Sequence, residues 1–247
     1  MDLQTIFLLC ISFLLISFLY SSVGHAGASG YLAVMALTSI PIESIKPVSL
    51  VLNIVVSIIA SYNFIRAGYF DRKVFLAFAL TSIPMAFVGG YIKIDPHWFK
   101  VIAGGFLILS GILLLVRQFI SPKDTIKTTN LPVALLLGAV IGLFSGLIGV
   151  GGGIFLSPIL ILLGYATIKN TAGISAVFIL CNSTLGLAGH YASLESVPFE
   201  TVYFAAFVMI GGYVGSHFGS RKFNTRIILS FLFVVLISAG IKFLVVG

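Results

Sequence analysis

Four glycines fall within five positions, at Gly149, Gly151, Gly152 and Gly153, inside an otherwise apolar stretch. Glycine costs about 1 kcal/mol relative to alanine in a helix interior, so the cluster predicts an interrupted helix. Irregular backbone at membrane depth survives only where protein or a water-filled cavity covers it. The N–H groups freed at the start of the next half-helix, beside the positive end of its dipole, are a ready anion site. A second small-residue stretch, SSVGHAGASG at 21–30, places Gly24, His25, Ser29 and Gly30 in a comparable break in the first half of the chain. The bland alternative is close helix packing through small residues. One glycine would favour it; four clustered glycines facing a similar break favour the site.

Side-chain donors near these breaks are Ser29, Ser49, Asn53, Ser145, Ser175, Asn182 and Ser183. Asparagine in a membrane span is costly unless paired, whereas serine can bond its own helix backbone. Asn53 and Asn182 are therefore the stronger candidates. His25 titrates near physiological pH and is the candidate for proton coupling or for charge contact with a substrate; a neutral histidine bracing the break is the alternative. No Lys or Arg lies deep in an apolar segment, so the expectation is a site that holds an anion through neutral donors and dipoles. His190 is expected at the interface, Arg66 and Arg117 as snorkelling anchors, and Pro84 and Pro158 as kinks or helix ends. No catalytic constellation appears. There is no Walker A loop, no H-E-x-x-H and no facing acid pair, and Gly142-Leu-Phe-Ser-Gly146 lacks the G-x-S-x-G spacing. Cys10 and Cys181 lie in apolar runs without a C-x-x-C pair, so no disulfide, metal site or cofactor is expected.

The elements that position these residues must be membrane helices. Of 247 residues, 59% are hydrophobic and 9% charged, against roughly 25% charged in a soluble domain. Apolar segments follow one another at about 4–22, 28–40, 47–65, 74–93, 98–118, 131–148, 152–164, 171–192, 200–219 and 226–246. The first lacks a basic n-region and a cleavage site and reads as a retained helix. The formal charge of +7 belongs to loops, where it sets topology and meets anionic lipid headgroups; it does not imply a nucleic-acid partner.

The polar stretch 119–130 divides a first repeat, 1–118, from a second, 131–247. Both halves carry a small-residue break, a short apolar run, a Lys-bearing turn (Lys46, Lys169), a Ser/Asn-rich segment and a Phe-acid step (Phe70-Asp71, Phe199-Glu200). Basic clusters at Arg66/Arg72/Lys73, Arg117/Lys123/Lys127 and Arg221/Lys222/Arg226 mark cytoplasmic loops, while 193–200, with Glu195 and Glu200, falls outside. These loops share one side only if the pair at 131–164 makes two short spans or a re-entrant hairpin. Five segments per half then give an inverted repeat. The expected fold is an all-α transmembrane bundle of two inverted repeats, each opening with a Gly-broken or re-entrant helix pair. Such repeats with discontinuous helices are the architecture of many secondary transporters.

Gly142-Leu-Phe-Ser-Gly-Leu-Ile-Gly-Val-Gly-Gly-Gly-Ile-Phe-Leu-Ser-Pro-Ile-Leu160, with its weaker first-half counterpart and the Lys46-Pro47-Val48-Ser49-Leu50 and Asn53 run, resembles the sulfite exporter TauE/SafE family of anion permeases. The resemblance covers nearly the whole chain. It implies secondary transport of small anions, often sulfur-containing ones such as sulfite or sulfoacetate, across the prokaryotic cytoplasmic membrane. The first-half motif, His25-Ala26-Gly27-Ala28-Ser29-Gly30, departs from the family's glycine cluster and leaves the particular anion open. A homo-oligomer and proton coupling are compatible with this reading. The rivals are an anion channel, an intramembrane enzyme and a structural scaffold.

Overall fold

The computed structural model describes residues 3–22, 24–38, 40–117, 119, 126–190, 197–219 and 225–245. Ten α-helices and no strand occur among them: α1 (Leu3–Ser22), α2 (Ala28–Leu37), α3 (Ile42–Arg66), α4 (Arg72–Tyr91), α5 (Pro96–Arg117), α6 (Leu131–Ile148), α7 (Gly153–Leu163), α8 (Ile168–Gly189), α9 (Thr201–Gly219) and α10 (Thr225–Val245). Residues 120–125 of the linker expected at 119–130, residues 193–196 of the loop expected outside, with Glu195, and Arg221 and Lys222 lie outside the described residues.

Helix starts follow local chemistry. Asp71 accepts hydrogen bonds from the backbone N–H of Lys73 and Val74 at 2.9 and 3.2 Å, Asn130 from Val133 at 3.3 Å, and Thr167 from Asn170 at 3.2 Å, each satisfying N–H groups the helix leaves open. Among the described residues, six helices are long and apolar enough to cross a membrane. In contrast, α2 and α7 have 10 and 11 residues, about 15 Å of rise against a core of about 30 Å.

The distribution of polarity is that of a membrane protein. Phe7, Leu80, Leu136 and Val234 are more than half exposed, whereas Ser49, Asn53, Ser175, Asn182 and Ser183 are fully buried. Lipid takes the apolar surface, and polar side chains find partners only inside the bundle.

Packing pairs α4 with α6, α1 with α9, α5 with α10 and α3 with α8. Three glycines of α6 set the closest of these approaches. A Cβ on Gly138, Gly142 or Gly146 would collide with the carbonyls of Phe78, Ser82 and Ala86 of α4. The rising numbers on both sides show that α4 and α6 run parallel. The same holds for α1 and α9, where Gly211 and Gly215 lie against the carbonyls of Leu14 and Phe18. Small residues let backbones approach where lipid supplies no hydrophobic drive.

One sequence boundary is corrected. The third apolar segment is expected at 47–65, after the break that holds Lys46 and Pro47. In the structure α3 begins at Ile42 and Pro47 lies inside it. Lys46 thereby moves from a turn into the second helical turn, where it is 6% exposed.

Gly146→Ala should destabilise the bundle by about 1–3 kcal/mol through overpacking. Gly105→Ala, where an added Cβ meets nothing within 4 Å, should not destabilise it and should gain up to about 1 kcal/mol from helix propensity. Thermal unfolding of both variants in detergent checks this; equal melting points would refute the close α4–α6 contact.

Candidate functional site

Glycine turns separate α1 from α2 and α6 from α7. After α1 the chain turns through Gly24 and Gly27, with φ of 84° and 107°. After α6 it turns through Gly149, Gly151 and Gly152, with φ of 88°, 78° and 77°. These left-handed values cost a residue with a Cβ energy that glycine avoids. Ser145 closes the second turn by accepting from the N–H of Gly149 and Val150 through its carbonyl, at 2.9 and 3.2 Å.

The two breaks meet at α3. The Ala28 N–H, at the start of α2, donates to Asn53 Oδ1 at 3.2 Å. Asn53 Nδ2 donates to Ser183 Oγ of α8 at 2.8 Å and to the Val150 carbonyl at 3.4 Å. One turn away, the Ser49 hydroxyl lies 3.2 Å from the Ala28 carbonyl and 3.0 Å from the Gly149 carbonyl. A Cβ on Gly151 would run into Asn53 Nδ2 and Ser183 Oγ. Asn53 lies near the middle of α3, so the N-terminal ends of α2 and α7 converge at mid-depth from opposite directions. From there α2 leads to Leu37, whose carbonyl accepts from Lys242 at 3.0 Å; α7 leads to Gly164, whose carbonyl accepts from the N–H of Lys127 at 2.8 Å.

The remaining candidates take other places. Ser29 pairs with the Tyr20 hydroxyl at 2.8 Å, and Gly30 lies within α2, packed on Ile16 and Tyr20. Ser175 pairs with Ser157 at 2.8 Å, and Asn182 Nδ2 donates to Ser82 Oγ of α4 at 2.8 Å. His25 is buried edge-on to Tyr20, with ring centroids 6.4 Å apart. Gly153 opens α7 against the side chain of Ile179. The Ser145 hydroxyl is fully buried beside Gly152 and has no hydrogen-bond partner among the described residues. Gly24 packs on Ala172 of α8. The structure thus brings Ser49, Asn53, Ser145, Ser183 and the second glycine turn together, and leaves Ser29, Ser175 and Asn182 as inter-helix pairs around them.

The longer α3 places a cation one turn before Ser49, beside the second glycine turn, while the junction itself holds neutral donors. Lys46 Nζ donates to the Gly90 carbonyl at 3.2 Å, and its stem lies against Gly149, where an added Cβ would be 3.1 Å from Lys46 Cγ. The spacing Lys46, Ser49, Asn53 is i, i+3, i+7, one face of a helix. That pattern was the available signal once α3 was extended.

Described residues hold no group of three or more His, Cys, Asp or Glu that could ligate a metal, and the donor set at the junction consists of amides and hydroxyls.

An all-helical bundle with, among the described residues, six helices long and apolar enough to span and two short helices whose starts meet on buried polar residues is that of a multi-pass membrane protein. The chain belongs to the sulfite exporter TauE/SafE family, whose model matches residues 9–243. It is 35% identical to the probable membrane transporter protein y4hK of Sinorhizobium fredii, over 96% of this chain and 97% of that protein. In Bacillus subtilis it resembles the probable membrane transporter proteins YunE, at 25% identity over 81% of this chain and 80% of that one, and YdhB, at 26% over 83% and 86%. No solved structure gives a significant match.

Asn53→Ala strands the Ala28 N–H and the Val150 carbonyl, which should cost about 1–3 kcal/mol. The Asn53→Ala/Ser183→Ala double variant should cost less than the two singles together, by at least about 0.5 kcal/mol. Strict additivity in thermal unfolding would show that the pair does not hold the junction.

Proposed function

We propose that the protein is a secondary carrier that moves a small anion, sulfite or an organosulfur acid, across the cytoplasmic membrane by alternating access. The observation that carries this reading is the convergence of the N-terminal ends of α2 and α7 on Asn53. Each helix start carries a partial positive charge, and freed N–H groups at such ends bind anions. The buried Ser145 hydroxyl adds a donor beside the second turn. Donors of this strength suit the weak, reversible binding a carrier needs, and the family's own description supports the substrate class.

The repeat plan fits the packing. Exchanging each helix for the one five places along converts the pair α4–α6 into α9–α1, and α5–α10 and α3–α8 into themselves, all of which are in contact. Antiparallel α3 and α8 cross near Asn53 and Ser183, where the axis of an inverted repeat would pass. On this reading 1–118 and 131–247 are the two repeats. The Arg66, Arg72, Lys73 and Lys127 end is cytoplasmic by its basic content.

The transport cycle then follows from the contacts. Ser49 and Asn53 fasten both breaks to α3, so admitting an anion means exchanging hydrogen bonds from Asn53 and Ser49 for bonds to the substrate. Rocking one bundle against the other opens the junction to one side at a time. His25, within the first break, is the residue for proton coupling. The chain performs no covalent chemistry in this scheme.

Uptake of radiolabelled sulfite, sulfate, thiosulfate and sulfoacetate into proteoliposomes tests the reading. Saturable flux with counterflow is expected for one of them. Gly151→Leu, whose side chain would displace Asn53 and Ser183, should abolish flux without preventing membrane insertion. Flux that neither saturates nor shows counterflow would identify a channel, and no flux for any of the four would discard the substrate class.

A further inference from the structure

A second polar feature lies apart from the junction, at the end of the bundle opposite Arg66. It is a cavity of about 280 Å³ lined by Glu43 and Lys46 of α3, Lys93 after α4, Phe99 of α5, Leu147 of α6 and His190 at the end of α8. At roughly 30 Å³ per water, it accommodates a small ion and part of a hydration shell.

Its electrostatics favour an anion. Lys46 is 6% exposed, and a buried ammonium is expensive unless paired. Its hydrogen bond goes to the Gly90 carbonyl at 3.2 Å, and His190 Nδ1 lies 3.3 Å from the same oxygen. Burial first, then the charges of Lys46 and Lys93, push His190 down to about 4. Glu43 is the one acid among the lining residues, and it is exposed. The wall beneath is continuous with the proposed transport path. The Lys46 stem touches Gly149, and Ser49 and Asn53 follow on the same face of α3 toward the centre.

We propose that this cavity is an outer loading site, in which Lys46, with Lys93 and His190, captures a small oxyanion and passes it along Ser49 to the junction at Asn53. Lys46 exchanges the Gly90 carbonyl for an oxyanion oxygen, replacing a hydrogen bond to a neutral acceptor by one in which both partners are charged, a stronger bond. The inference rests on the anion reading above for its substrate class, but binding at the cavity is measurable without transport.

The test is equilibrium binding of radiolabelled sulfite and sulfate to the purified full-length protein in detergent. Wild type should bind one of them, Lys46→Met and Lys93→Met should weaken binding about tenfold or more, and Lys46→Arg should retain most of it. Affinity for sulfate, whose charge is constant over this range, should rise as pH falls from 7 toward 4.5, because bound anion favours protonated His190. The rise should be lost in His190→Gln and kept in Glu43→Gln. No binding to wild type, or unchanged binding in Lys46→Met, overturns the loading site. If Lys46→Met does not fold, unchanged binding in Lys93→Met together with His190→Gln overturns it equally. Binding without flux leaves the loading site standing and removes the carrier reading instead.

Discussion

Two turns that join helices inside a membrane protein leave backbone N–H and C=O groups that lipid cannot satisfy, at several kcal/mol each if left alone. Asn53 resolves this with one side chain. Its carbonyl takes the Ala28 N–H at the start of α2, and its amide donates to Val150 in the second break and to Ser183 on α8. Ser49 repeats the arrangement one turn away with the carbonyls of Ala28 and Gly149. The short helices, the glycine turns and the crossing of α3 and α8 all hang on this pair of residues.

The same contacts explain why glycine is needed. At Gly151 the φ is 78° and the space where a Cβ would lie is taken by Asn53 and Ser183. Conformation and close approach demand glycine together there, so a larger residue would both strain the turn and break the bridge. Gly138, Gly142 and Gly146 serve a different end, bringing α6 onto the α4 backbone. One stretch of sequence thus holds glycines of two kinds, and spacing tells them apart: four-residue steps for packing, a tight cluster for the break.

Polar groups are graded along α3. Lys46 lies near the outer end in a cavity with Lys93 and His190, Ser49 at the edge of both breaks, and Asn53 at their meeting point. Along this face of α3, charge is confined to the end of the helix and neutral donors hold its centre. This order matches electrostatic cost, since an ion's desolvation penalty grows with depth while an amide's is met by hydrogen bonds.

The sequence by itself determined the class of fold and the number and order of its helices. Runs of about 20 apolar residues can satisfy their backbones in lipid only as helices, and the glycine cluster at 149–153 breaks a helix wherever it occurs. It also singled out Asn53, because an asparagine in a span must be paired. Partner identity was decided by tertiary structure. Asn53 pairs with Ser183 across 130 residues of chain, whereas Asn182, equally prominent in sequence, turns to Ser82 of α4. Gly30 and Ser29, read as part of a break, fall inside α2 against α1. Lys46 reads as part of a turn because the charged and proline residues at 46–47 bound the apolar run; in the structure the helix begins at Ile42 and carries the ammonium inward. Local periodicity and glycine spacing are properties of neighbouring residues and can be read along the chain, but which face of α3 meets which turn depends on how ten helices pack at once.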